Sequence, residues 1–381
     1  PGNSQVLYAA SQGQVKHTVN GGDNWSSALG ISTGASRIAL AVTPADDSYV
    51  YALVANGSGS YRGLYRSTDS GESFTARNTT TDCFEGDQSW YDMAIGVSAT
   101  DKDLIFTGVL NVWKSTDGGT TLEVVNSWSN SSAPNYTHAD IHYLRYYGGH
   151  LYCGSDGGIY KSTNDGDSFN DLSDGLQIGQ FYRISGAESN LNTVTGGLQD
   201  NGSYYKAGAN WRVWLGADGM ESAVNPGNPS EAYGMIQFGN LYRTDDGGLS
   251  RSNLGSPGGI DGEWITPMVY DTGLDRIIAG YDQIYQYNGA WNALTSFNFP
   301  GNLDCIEVAP SNSQIIYCTI GKNIYKTINN GTTVTTITSN LTPVNSSNRN
   351  ITSIEIHPTN PNKLWVSFGG LAAGVKVAKS I

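Results

Sequence analysis

A few polar and aromatic residues in this sequence have types and spacings that could do chemistry. His138, Asp140 and His142 alternate at intervals of two. On an extended strand such residues share one side, and two imidazoles flanking a carboxylate are a metal-ligand pattern. Asp218 and Glu221 lie three residues apart. With Asp92 they are the carboxylates from which an acid/base pair could be drawn. Asp156 and Asp200 stand in Gly- and Asn-rich turns, and Trp90, Tyr91 and Trp264 flank apolar runs. Exposed aromatics stack on sugar rings or anchor a protein partner. Each group also has a purely structural reading. The histidines and aromatics could pack and hydrogen-bond between neighbouring elements, and the aspartates could cap turns. Several carboxylates brought together would also attract Ca²⁺ or another divalent cation.

The elements that must position these residues are strands. Glycine is abundant at 48 residues, with 23 Tyr and 9 Trp, and long Ala/Leu/Glu/Lys runs are missing. An octet, Ser/Thr-x-Asp/Asn-x-Gly-x-Ser/Thr/Asn followed by an aromatic or apolar residue, starts at Thr18, Ser67, Ser115 and Ser162, with weaker copies at Thr244 and Thr327. The first four copies recur about every 48 residues and the later ones at about twice 41. Degenerate copies fill the two wide gaps at Tyr204–Trp211 and Ile284–Trp291. The octet has the chemistry of a turn: an Asx oxygen bonding amides ahead of it, a glycine at positive φ and a local hydroxyl. Its aspartates are therefore staples.

Around each octet lie three further strand patterns, for example 37–43, 49–54 and 63–66 before the octet at Ser67 and 73–76 after it. A four-stranded antiparallel meander, strands A to D with the octet between C and D, is a propeller blade. Nine C strands are countable over residues 1–381, with strand A missing from the first blade and strand D from the last. The expected fold is an all-β propeller with more than seven blades, part of a ten-bladed or tandem propeller, and with no separate second domain. The chain opens on Pro1-Gly2-Asn3 in mid-pattern, which reads as a processed product or part of a larger polypeptide.

Charge and cysteines narrow the function classes. Net charge is −13 with only 21 Lys and Arg, so nucleic acid and an acidic membrane surface are unsuitable partners. No apolar run reaches transmembrane length. Cys83, Cys153, Cys305 and Cys318 lack metal or redox spacing. Cys305 and Cys318 fall on consecutive strands, where a disulfide and two free thiols are both open readings.

The octets resemble the BNR, or Asp-box, repeat of sialidases, sortilin-type receptors and xyloglucan-specific hydrolases. The intervening motifs resemble those of secreted Bacteroidota BNR-repeat or sortilin-like proteins. They are Gly86–Asp92, His138–His142, Gly154–Ser162, Gly197–Gly202, Gly216–Glu221 and Asn360–Gly369. The resemblance implies a secreted or cell-surface location and carries no common activity. It argues against a sialidase, because Arg37-Ile38 runs into Ala39 where that family has Arg-Ile-Pro. On blade geometry, Asp92, His138, Asp140, Asp218 and Glu221 precede A strands, and Asp156 and Asp200 sit in B–C turns. All should share the face opposite the octets. The expectation is a non-catalytic module binding a glycan or protein partner, with a glycoside hydrolase using those carboxylates as the alternative.

Overall fold

The computed structural model describes residues 3–31, 34–187, 189–338, 350–371 and 374–380. Pro1 and Gly2, where the sequence reading found a mid-pattern start, lie outside them. The described residues form nine antiparallel sheets and no α-helix. Seven sheets have four strands each, in the order A-B-C-D; the first and last have three. The fold is that of a β-propeller, with more than seven blades. The chain divides into two compact units, residues 1–178 and 179–381.

The first unit holds four blades. Blade 2 is the clearest: Arg37–Val42, Val50–Ala55, Tyr61–Ser67 and Thr75–Asn78. Its second strand, Val-Tyr-Ala-Leu-Val-Ala, is wholly buried. Because side chains alternate across a strand, Val50, Ala52 and Val54 pack into the core shared with blade 1, whereas Tyr51, Leu53 and Ala55 enter the core shared with blade 3. A run of six apolar residues is what a strand covered on both faces requires. Blade 4 comprises Ile141–Tyr147, His150–Ser155, Gly158–Ser162 and Asn170–Asp171, and packs on blade 3 through Phe106, Ile141, Leu144 and Leu151.

The second unit repeats this plan in blades 5 to 9, whose A strands are Phe181–Ala187, Ser222–Val224, Met268–Asp271, Cys305–Val308 and Ile351–His357. Within each unit the A strands of successive blades lie side by side. The degenerate octets at Tyr204 and Ile284 are C–D hairpins, Gly202–Ala207 with Asn210–Leu215 and Ile284–Tyr287 with Trp291–Ala293.

All six octets share three bonds: the first hydroxyl to the Asx oxygen, the glycine amide to that hydroxyl, and the seventh residue's amide to the Asx oxygen. In the copy at Ser67, Ser67 Oγ donates to Asp69 Oδ1 at 2.6 Å and accepts from the Gly71 amide at 2.8 Å. The Ser73 amide and hydroxyl close on the two Asp69 oxygens at 3.0 and 2.5 Å. Gly71 has φ of 85°, a conformation that side-chain-bearing residues adopt with strain. Asn20, Asn164 and Asn329 accept the corresponding amide bonds in their copies.

All four cysteines are free thiols. The register resolves the choice left open for Cys305 and Cys318: Cys305 pairs with Thr319 and Cys318 with Ile306. An offset of one residue puts the two sulfurs on opposite faces, Cys305 against the blade 8/9 core and Cys318 in the blade 7/8 core.

Candidate functional site

In the first unit, the segment before blade 3 and the start and B–C turn of blade 4 build one polar and aromatic cluster. Trp90, Tyr91 and Asp92 precede the strand Ala94–Val97. Trp90 is 74% exposed and packs beside Tyr91, ring centroids 5.7 Å apart. The Tyr91 hydroxyl donates to Asp156 Oδ2 at 2.7 Å, and His142 Nε2 meets Asp156 Oδ1 at 2.8 Å. The Tyr91 and His142 rings meet edge to face at 4.8 Å. Asp156 occupies the turn between His150–Ser155 and Gly158–Ser162, which lies hard against His138: a Cβ on Gly157 would fall 2.3 Å from His138 Cβ. A side chain at 157 would push the turn off the site.

His142 reaches Asp156 because of a bulge. Pairing of Ile141–Tyr147 with the next strand shifts between Ile141 and Tyr143, leaving His142 as the extra residue. Bulges re-aim side chains in this way. The sequence reading had His138, Asp140 and His142 on one side of a strand. The backbone does not allow this: the strand begins at Ile141, and Asp140 takes a left-handed φ of 65°. Among the described residues, those three do not bring three ligand atoms within 4.8 Å of one another.

Asp140 instead looks to Asp92. The Gln88 amide nitrogen bridges them, donating to Asp92 Oδ2 at 3.0 Å and Asp140 Oδ1 at 2.5 Å. Asp92 has no exposed surface. Burial, with the Asp140 charge nearby, pushes its carboxyl up to about 6 although Gln88 opposes this. Burial also raises the Asp140 carboxyl.

In the second unit, Asp200 and Asp218 meet. The Asp200 amide donates to Asp218 Oδ1 at 2.5 Å, and Gln237 Nε2 donates to Asp218 Oδ2 at 2.5 Å. Both oxygens of Asp218 thus bind neighbouring loops. Glu221 has a different partner, Arg183 Nε at 3.3 Å, so Asp218 and Glu221 are not tied into one pair. Burial pushes Glu221 up to about 7 against the pull of Arg183. Glu221 and Arg183 line a cleft of about 210 Å³ with Asp304, Cys305, Glu307 and Glu355. Burial and the nearby Glu355 and Glu221 push Glu307 up to about 8. Trp264, 44% exposed, stands edge to face with Phe238 at 5.3 Å.

Sequence reasoning missed Gln88, Arg183, Glu307 and Glu355. Glu307 and Glu355 did carry a signal, since each is an acidic residue inside an apolar A strand, Cys-Ile-Glu-Val and Ile-Glu-Ile. Arg183 carried none until its strand could be placed beside Glu221.

Fold and site define a propeller with polar-aromatic loop clusters. No protein-family model matches the chain, and no curated protein does. Among solved structures it is similar to the GH74 enzyme of Niastella koreensis (14% identity, TM-score 0.32, covering 94% of this chain and 66% of that one). It is also similar to the GH74 xyloglucanase of Xanthomonas campestris (14%, 0.36, covering 96% and 69%). A third is YCF48 bound to D1 peptide (11%, 0.28, covering 87% and 90%). The chain thus spans just under two thirds of the first of these enzymes.

Proposed function

We propose that this chain is an exported or cell-surface, non-catalytic propeller that binds a glycan at the Trp90–Tyr91–His142–Asp156 cluster. The observation that carries the reading is Trp90. A large aromatic ring, 74% exposed, sits beside a tyrosine whose hydroxyl is fixed on a carboxylate. Sugars are recognised by a ring face against an aromatic plane and by hydroxyls against fixed polar atoms. The bonds from Tyr91 and His142 hold Asp156 in place as an acceptor, which suits recognition more than proton transfer. The six octets with one shared bonding pattern support an Asp-box repeat assignment, and with it the export reading.

One observation favours the alternative, a glycoside hydrolase. Burial raises Glu221 to about 7 and Glu307 to about 8 in one cleft, so this carboxyl pair can hold and release a proton near neutral pH. The cleft's 210 Å³ falls below the about 300 Å³ at which small-molecule sites begin, and Arg183 already engages Glu221. Binding therefore leads. A glycan array screened with the whole chain and with Trp90→Ala tests it: the expected result is retention of defined glycans that Trp90→Ala loses. Equal retention by both proteins would overturn the site.

A further inference from the structure

We infer that Asp92 and Asp140 form a site for a hard divalent cation, Ca²⁺ by its chemistry, beside the aromatic cluster. The inference does not depend on the glycan reading. Two carboxylates from different blades converge here on one amide, Gln88 Nε2, at 3.0 and 2.5 Å. That single neutral donor is a weak substitute for a counter-charge. Within the first unit the charged groups facing Asp140 include Asp156, which raises its carboxyl, and the imidazoles of His138 and His142, which lower it. Those facing Asp92 are Asp140 and His142.

The second, independent observation is an orphan atom. Asp92 is fully buried and its Oδ1 has no hydrogen-bond partner. Its Oδ2 is the atom that shares Gln88 with Asp140, so the orphan oxygen belongs to a carboxylate already turned toward the second carboxylate. A buried anionic oxygen without a donor is among the most unfavourable placements a fold can hold, and a bound cation relieves it. Asp140 is held at φ of 65° immediately before its strand. Strain of this kind persists where the surroundings over-determine it. The two carboxylates and, once the Gln88 side chain turns over, its amide carbonyl offer oxygen ligands, while His142 Nε2 is already engaged by Asp156. Oxygen donors in an irregular arrangement, completed by water, suit Ca²⁺ better than Zn²⁺ or the strictly octahedral Mg²⁺.

The test is titration of the chelator-treated whole chain with CaCl₂ by calorimetry, and with TbCl₃ by luminescence excited through tryptophan, for which Trp90 is the nearby antenna. Saturable binding of one ion is expected. Asp140→Asn and Asp92→Asn, which keep shape and remove charge, should each weaken it by about tenfold or more, while the octet variant Asp246→Asn leaves it unchanged. Circular dichroism of each variant separates lost binding from lost fold. Should Asp92→Asn unfold, Asp140→Asn alone decides. No saturable binding by the folded chain, or equal binding by Asp140→Asn, overturns the inference. Loss of glycan retention with cation binding intact would overturn only the proposed function.

Discussion

Replacing Asp69 by alanine removes three hydrogen bonds at once: those from Ser67 Oγ, the Ser73 amide and the Ser73 hydroxyl, at 2.6, 3.0 and 2.5 Å. The Gly71 and residue-69 amides to Ser67 Oγ, at 2.8 and 3.3 Å, and the Glu72 amide to the residue-69 carbonyl, at 3.4 Å, then hold the turn. Each such bond is worth about 0.5–1.5 kcal/mol net. Because the turn is exposed, water replaces part of what is lost, and the total comes to about 1–2 kcal/mol. Asp69→Asn keeps an acceptor where Asn20, Asn164 and Asn329 already serve other copies. It should stay within about 0.5 kcal/mol of the parent. Urea unfolding followed by intrinsic fluorescence measures both, and hydrogen exchange should show the Ser73 amide losing protection in Asp69→Ala alone. There is a pH signature too. Despite the upward push of burial, the bonds from Ser67 and Ser73 hold the Asp69 carboxyl down to about 2, below its ordinary 3.8. Its stabilisation is therefore present above about pH 4 and lost as pH falls toward 2, and Asp69→Asn should lack that loss. If alanine and asparagine behave alike, or if neither changes the turn, the staple reading is wrong.

Other expectations follow from the same bonds. Arg276 and Asp271 form a buried ion pair at 2.9 Å, and Arg276 also donates to Gln286 and Asn330. Asp271→Ala strands the guanidinium and should cost about 3–5 kcal/mol in a urea melt; a loss under about 1 kcal/mol would refute a load on this pair. Glu221 has a raised carboxyl, so the folded chain binds its proton more tightly than the unfolded chain does. Its contribution is complete below about pH 4.5 and is lost as pH rises through 7. Melting temperatures between pH 5 and 9 should fall less steeply for Glu221→Gln than for the parent, and superimposable curves would contradict this.

Much of the fold was legible because its information is local. The octets carry their own hydrogen-bond chemistry, and the run Val50–Ala55 declares a strand covered on both faces. Even the degenerate copies at Tyr204 and Ile284 were placed by spacing alone. The loop positions of Asp92, Asp140, Asp156, Asp200 and Asp218 followed from the A-B-C-D order. What they touch did not. Gln88 joins one carboxylate 4 residues away to another 52 residues away, and nothing local marks a glutamine as a bridge. The alternation drawn through His138, Asp140 and His142 failed on two backbone events, a left-handed Asp140 and a bulge at His142. Aspartate tolerates the left-handed region better than most residues, but it also sits in ordinary strand starts, so its presence does not announce the break. The cysteines show the same limit: strand pairing was foreseeable, and the one-residue offset that separates Cys305 from Cys318 was not.

The proposal is that the Trp90 cluster binds a glycan and leaves it intact. The most direct measurement incubates the chain with an oligosaccharide retained on the array, follows binding by the difference in fluorescence between the parent and Trp90→Phe, and recovers the sugar for mass spectrometry. Saturable quenching that depends on Trp90, and an oligosaccharide of unchanged mass after prolonged incubation, are expected. Cleaved oligosaccharide, with cleavage abolished by Glu221→Gln and untouched by Trp90→Phe, would contradict it and move the function to the glutamate cleft.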